Sequence, residues 1–170
     1  MKTKMLFICY TAILLSLNGY ASKTIFVPFD YPTVQEAITA ARQGDIIRVA
    51  PGVYGRIKMK KNIRIIGEER DSTIIESALP SNFFGTLPVT VTVLFNDHDG
   101  ASLENFTIRG GGRYDASHGG AIVLINSENV VIKNCVITKY KGSTDVANSG
   151  AIALYSSNAI ITGCLFYNNI

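Results

Sequence analysis

The chain has 170 residues, of which 47% are hydrophobic and 17% charged, with 15 Gly and no Trp. That length builds one domain with a sizeable core, and that hydrophobic share excludes a disordered chain. The formal charge is +3, but Lys2 and Lys4 belong to a segment expected to be removed, which lowers 16 basic residues to 14 against 13 acidic. So even a balance gives no electrostatic case for nucleic acid or a membrane surface.

Residues 1–21 start with Lys2 and Lys4, continue as an apolar run from Met5 to Leu17, and reach Gly19-Tyr20-Ala21. A basic start, an apolar middle and closing small residues form a secretory signal peptide. The run is short for a membrane span, although a retained anchor is the alternative. The mature chain is expected from Ser22, over 22–170, secreted to the cell surface, periplasm or medium, with no membrane attachment after cleavage. The leader also carries off Cys9, leaving Cys135 and Cys164.

A helix is expected over 33–43. Thr33 and Glu36 form a capping box, and Val34, Ala37, Ile38 and Ala41 make one apolar stripe. Arg42 would complement the last turn and Gly44 would stop the helix. Such a stripe suits a cap laid over the first rung of a coil. Arg56, Lys58, Lys60, Lys61 and Arg64 follow as a basic run. Alternation around Ile57, Met59 and Ile63 makes it the solvated face of a strand.

Beyond this the chain repeats itself. Gly120 to Ile137 returns as Gly150 to Phe166, and aligning Asn129 with Asn158 gives a period of 29. The same column extends back to Gly100 and, after a longer step, to Asn62. Five residues later stand Gly67, Asn105, Asn134 and Gly163. Asn and Gly enter left-handed backbone conformations most readily, so both columns are expected bends. Between them Ile65, Leu103, Ile132 and Ile161 share one position. Val93 and Phe95, Ile122 and Leu124, Ile152 and Leu154 alternate before the first column. Three short strands per row, with like residues recurring, predict an all-β fold: a right-handed parallel β-helix of four rungs with a short N-terminal capping α-helix. An antiparallel sandwich is the rival, but it does not require two locked columns.

Cys135 and Cys164 share a column in successive rungs. Parallel side-chain vectors favour stacked thiols over a disulfide. The chain stops at Ile170 within an expected rung that carries no polar cap, so it reads as C-terminally incomplete. The alternative is self-association through the uncapped rung.

The stretch Tyr31 to Ile75, with Val34-Gln35-Glu36-Ala37-Ile38, Gly44-Asp45, Pro51-Gly52-Val53-Tyr54 and Gly67, resembles the opening of secreted β-helix proteins of the pectin lyase-like superfamily. In places it is similar to the start of pectin methylesterases. The resemblance implies an acidic, pectin-like polysaccharide as partner, and an esterase, lyase or glycoside hydrolase if the protein is an enzyme. It alone would admit calcium; no cofactor and no metal site is otherwise identified. The Gln-Asp, Arg-Pro-Trp, Gly-His-Gly and Trp-Ile-Asp-His patterns of those enzyme families do not occur here, so no catalytic residue is assigned.

Candidate binding residues come from two irregular excursions at the same place in the coil, Gly110 to Gly119 and Lys141 to Ser149, expected side by side on one flank. They offer Arg113, Tyr114, Asp115, His118 and Asp145, with Arg109, Lys139, Tyr140 and Lys141 at their roots. Cations suit uronate carboxylates, a tyrosine face suits a sugar ring, and His118 or Asp115 suits proton transfer. Ordinary polar loop residues are the plainer reading. Asn96-Asp97-His98-Asp99-Gly100 looks like the front of a calcium loop, but the repeat makes it a solvated turn equivalent to Asn126–Asn129. Function therefore divides between polysaccharide recognition or processing and a non-catalytic, adhesin-like surface module.

Overall fold

The computed structural model describes residues 21–59, 62–77, 91–113, 118–141 and 148–170, with backbone only for Arg113, His118, Asn148 and Ser149. The expected leader thus lies, apart from Ala21, outside the described residues. The described chain coils through three parallel sheets. One holds β1 (Thr24–Val27), β2 (Ile46–Val49), β5 (Arg64–Gly67), β8 (Ser102–Glu104), β12 (Val130–Lys133) and β15 (Ala159–Thr162), in that order. A second holds β3 (Gly52–Tyr54), β6 (Thr73–Glu76), β9 (Thr107–Arg109), β13 (Val136–Thr138) and β16 (Leu165–Tyr167). The third stacks β4 (Ile57–Met59), β7 (Val93–Asn96), β11 (His118–Ile125) and β14 (Asn148–Tyr155), with β10 (Gly112–Arg113) antiparallel beside β11.

Register turns the sequence columns into layers. Ile47, Ile65, Leu103, Ile132 and Ile161 are aligned partners, as are Val93, Ile122 and Ile152. All but the last-rung members are fully buried, giving one continuous apolar bore. Each such side chain loses its apolar surface to the rung on either side, worth about 1.5–3 kcal/mol per residue. The coil begins one rung earlier than the repeat indicates. β2, β3 and β4 form a full turn whose bends use Ala50-Pro51 and Gly55-Arg56 instead of the Asn and Gly columns. The basic run accordingly spans two strands. Ile57 and Met59 point inward from β4, and Arg64 begins β5 and pairs with Glu104 at 3.0 Å.

Five of the eight expected bend residues are left-handed: Gly100, Asn129, Asn105, Asn134 and Gly163. The other three serve differently. Gly67 ends β5, where a Cβ would overlap the carbonyl oxygen of Asn105, so close approach of the backbone requires glycine there. Asn158 accepts the Asn129 N–H at 2.8 Å, and the Asn62 carbonyl accepts from Gly44. Two further left-handed columns escape an Asn and Gly search: Asp97, Asn126 and Ser156, and Gly110, Lys139 and Asn168.

The cap is shorter than expected. The helix α1 runs Val34–Ala40, with the Thr33 hydroxyl accepting from the Glu36 N–H at 3.2 Å and Val34, Ala37 and Ile38 buried. Arg42 lies beyond the last turn and Gly44, at φ +87°, is in the following bend. The reason is Asp45. Its carboxylate, 6% exposed, takes the N–H of Arg42 at 2.7 Å and of Lys23 at 2.8 Å, pulling the chain out of the helix. Burial alone would raise this carboxyl. The two N–H groups and the charges of Arg42 and Lys23 outweigh it and hold Asp45 below its ordinary value. Gln35 satisfies the edge of β4 by bonding both the N–H and the carbonyl of Lys58, which blunts that edge.

Cys135 and Cys164 are free and stacked, with the Cys135 N–H donating to Cys164 Sγ at 3.5 Å. The side-chain interaction between the stacked thiols, with burial adding to it, pushes Cys135 up, and the same interaction lowers Cys164.

Candidate functional site: a groove on the second sheet

Outward positions of the second sheet form two lanes. One runs Val53, Ile74, Thr107, Val136 and Leu165; the other runs Glu76, Arg109, Thr138 and Tyr167. A turn at 68–72 folds over this face. Glu69 builds the turn by accepting the Ser72 hydroxyl on its carboxylate at 2.9 Å and the Thr73 N–H on its carbonyl at 2.8 Å. The Thr107 hydroxyl donates to the Arg70 carbonyl at 2.9 Å, and the Arg70 guanidinium reaches the Asn134 side chain at 3.3 Å. The turn is thereby clamped to two later rungs.

Between this turn and Lys139 lies an open groove of about 530 Å³, lined by Arg70, Asp71, Arg109, Lys139, Tyr167 and a floor of Thr107, Val136, Thr138 and Leu165. Arg70 binds Asp71 at 2.7 Å and Arg109 meets Glu76 at 3.5 Å. The Arg70 hydrogen bond holds the Asp71 carboxyl below its ordinary value. Tyr167 is 46% exposed and leaves its ring available at one end. Three cations, two threonines and an aromatic face are the groups that grip a polyhydroxylated anion.

Of the residues expected from sequence, Arg109 and Lys139 line this groove. Lys141 is exposed two residues farther on. Tyr140 requires a correction: it is 4% exposed and belongs to the apolar core, so it offers no face to a sugar. The left-handed turn at Lys139 reverses the direction of the next side chain, and the Asn169 carboxamide pins the Tyr140 N–H at 3.0 Å. Tyr114, Asp115 and Asp145 lie outside the described residues, as do the side chains of Arg113 and His118. The strands that follow the two excursions pair, His118 opposite Asn148 and Gly120 opposite Gly150, while most of the excursions lies outside the described residues. Asp97 and Asp99 serve the turn, accepting from the Asn126 carboxamide and the Glu128 N–H of the next rung at 3.1 and 3.0 Å.

Arg70, Asp71, Thr107, Thr138 and Tyr167 were not among the sequence candidates. Arg70 comes from the rung before a longer repeat step, which hides its proximity to residues 107–139. Tyr167 was legible as the outward position of the fourth repeat, two residues after Leu165.

A family model described as the right-handed beta helix region matches residues 91–170. No curated protein matches the chain. Among solved structures, a pectin methylesterase variant in complex with a hexasaccharide is similar at a TM-score of 0.53 and 16% identity, over 86% of this chain and 49% of that one. This chain thus spans about half the length of that enzyme, and at such identity the likeness concerns the fold. The chain thus folds as a right-handed parallel β-helix, the fold it shares with that enzyme.

Proposed function

We propose that the protein, once exported, recognises or processes an acidic, pectin-like polysaccharide in the groove of the second sheet. The observation that carries this reading is the convergence of Arg70, Arg109 and Lys139 around one groove floored by Thr107 and Thr138. Cations match uronate carboxylates, and Tyr167 provides a stacking face. Export is supported by the composition of residues 1–21. The oligosaccharide in the structurally similar pectin methylesterase agrees with a saccharide partner.

A second reading, a non-catalytic surface module that binds without turnover, is favoured by Asp71. Its carboxyl is engaged by Arg70 and held ionised, which suits orientation of a cation better than delivery of a proton. Calorimetric titration with oligogalacturonate, followed by ultraviolet absorbance and methanol release on pectin, separates these readings. Saturable binding that weakens about tenfold in Arg109→Ala supports the groove. Unsaturated or de-esterified product marks processing, and binding without product marks the module. No binding to any acidic glycan overturns the proposal.

A further inference from the structure

Two adjacent residues of the groove depart from what their own positions favour. Gly110, Lys139 and Asn168 form a left-handed column at φ of 79°, 58° and 53°. The scaffold imposes this bend in three successive rungs, and the Gly110 N–H hydrogen-bonds the Thr138 carbonyl at 3.0 Å across two of them. Glycine and asparagine take the conformation at low cost, whereas lysine is strained in it. Nothing in the bend calls for lysine. Its side chain is exposed at the groove edge and, among the described residues, meets no acid, while Arg70 and Arg109 each have one.

Thr138 is the second exception. It is 2% exposed, lines the same groove, and its hydroxyl has no hydrogen-bond partner. A buried orphan hydroxyl is unfavourable, and two residues earlier the same face of the strand carries Val136. Strain at one residue and an unmet donor at its neighbour, both on one concave face, point from the fold to a ligand.

We propose, resting on the acidic-saccharide reading of this groove, that Lys139 and Thr138 form its anion subsite. The Lys139 ammonium and the Thr138 hydroxyl together take one carboxylate of the saccharide and set the preference for acidic over neutral chains. Tyr167, the register partner of Thr138, flanks the subsite from the next rung. Arg70 and Arg109, each already matched by an acid, position the chain.

The test combines melting temperature with calorimetric titration of the full chain by tetragalacturonate and by its carboxyl-reduced, neutral counterpart. Lys139→Asn relieves the backbone and is expected to raise the melting temperature by about 1–3 °C while weakening tetragalacturonate about tenfold. Thr138→Val removes the orphan hydroxyl and is expected to raise it by about 2–4 °C while weakening the same ligand several-fold. Lys139→Arg keeps the affinity, and so does Lys133→Asn, which removes an exposed cation from another sheet. A gain in stability coupled to a loss in affinity at both positions is a signature that a merely structural role does not give. Unchanged affinity in Lys139→Asn overturns the subsite and leaves the groove reading standing. Equal binding of acidic and neutral tetramers by the unaltered protein also overturns it, while keeping the groove as a saccharide site. Preference for a sulfated tetrasaccharide over tetragalacturonate overturns the carboxylate assignment. Binding of none of these overturns both proposals.

Discussion

Two left-handed columns border the second sheet, five residues apart in each of the last three rungs, and they are filled by different rules. Asn105, Asn134 and Gly163 precede the strands; Gly110, Lys139 and Asn168 follow them. In the first column every residue suits its backbone, and the Asn134 carboxamide donates to Asn105 at 2.7 Å, so side chains reward the bend they occupy. In the second column the bend is the same but Lys139 is ill suited to it, and Thr138 beside it leaves a hydroxyl unmet. Where local preference and fold agree, the residues serve the scaffold. Where they disagree at one spot on a concave face, the residues serve something outside the scaffold.

Substitutions on the scaffold side are expected to cost stability, and those on the groove side to return it. The largest effect is expected at Gly67. An added methyl in Gly67→Ala meets the Asn105 carbonyl and must push two rungs apart, costing about 3 kcal/mol in chemical denaturation. Asn134→Ala comes next. It loses the ladder bond to Asn105, the contact with Arg70 and a residue suited to φ +50°, for about 2 kcal/mol in total. Because Arg70 is also released, weaker oligogalacturonate binding should accompany the loss, which links the two columns. The groove substitutions Lys139→Asn and Thr138→Val have the opposite sign in stability, and loss of stability in both would erase the distinction drawn here.

A pH series adds a smaller effect, remote from the groove. Asp45 has its carboxyl lowered in the folded state, so its contribution is present above the unfolded value near 3.8 and is lost as pH falls through the lower folded value. Asp45→Asn should flatten the acid limb of the stability curve while leaving saccharide binding at neutral pH intact. A full acid limb in that variant would place the sensitivity elsewhere.

The regular part of the fold was legible because solenoid layers repeat in sequence. The period of 29, the inward Ile and Leu columns and the stripe of α1 all appear as expected. The first rung was not legible, since its bend at Ala50-Pro51 carries neither Asn nor Gly. The end of α1 was missed because Asp45, a residue outside the helix, captures the N–H of Arg42. Of the groove, Arg109 and Lys139 were legible as cations at the roots of the two excursions. Arg70 was not, because the Thr107 and Asn134 contacts that bring it over the sheet cross 37 and 64 residues. Tyr140 shows the limit of reading loop roots by residue type, since a single positive φ at Lys139 turns its ring into the core.

The outward face of the second sheet is the proposed seat of an acidic saccharide. Amide chemical-shift mapping of the isotope-labelled protein during titration with tetragalacturonate tests it most directly. The predicted result is a contiguous set of saturable shifts at Arg70, Thr107, Arg109, Thr138, Lys139 and Tyr167, with the strands of the other two sheets unmoved. Saturable shifts concentrated on either of those sheets, with these six residues unmoved, would contradict it.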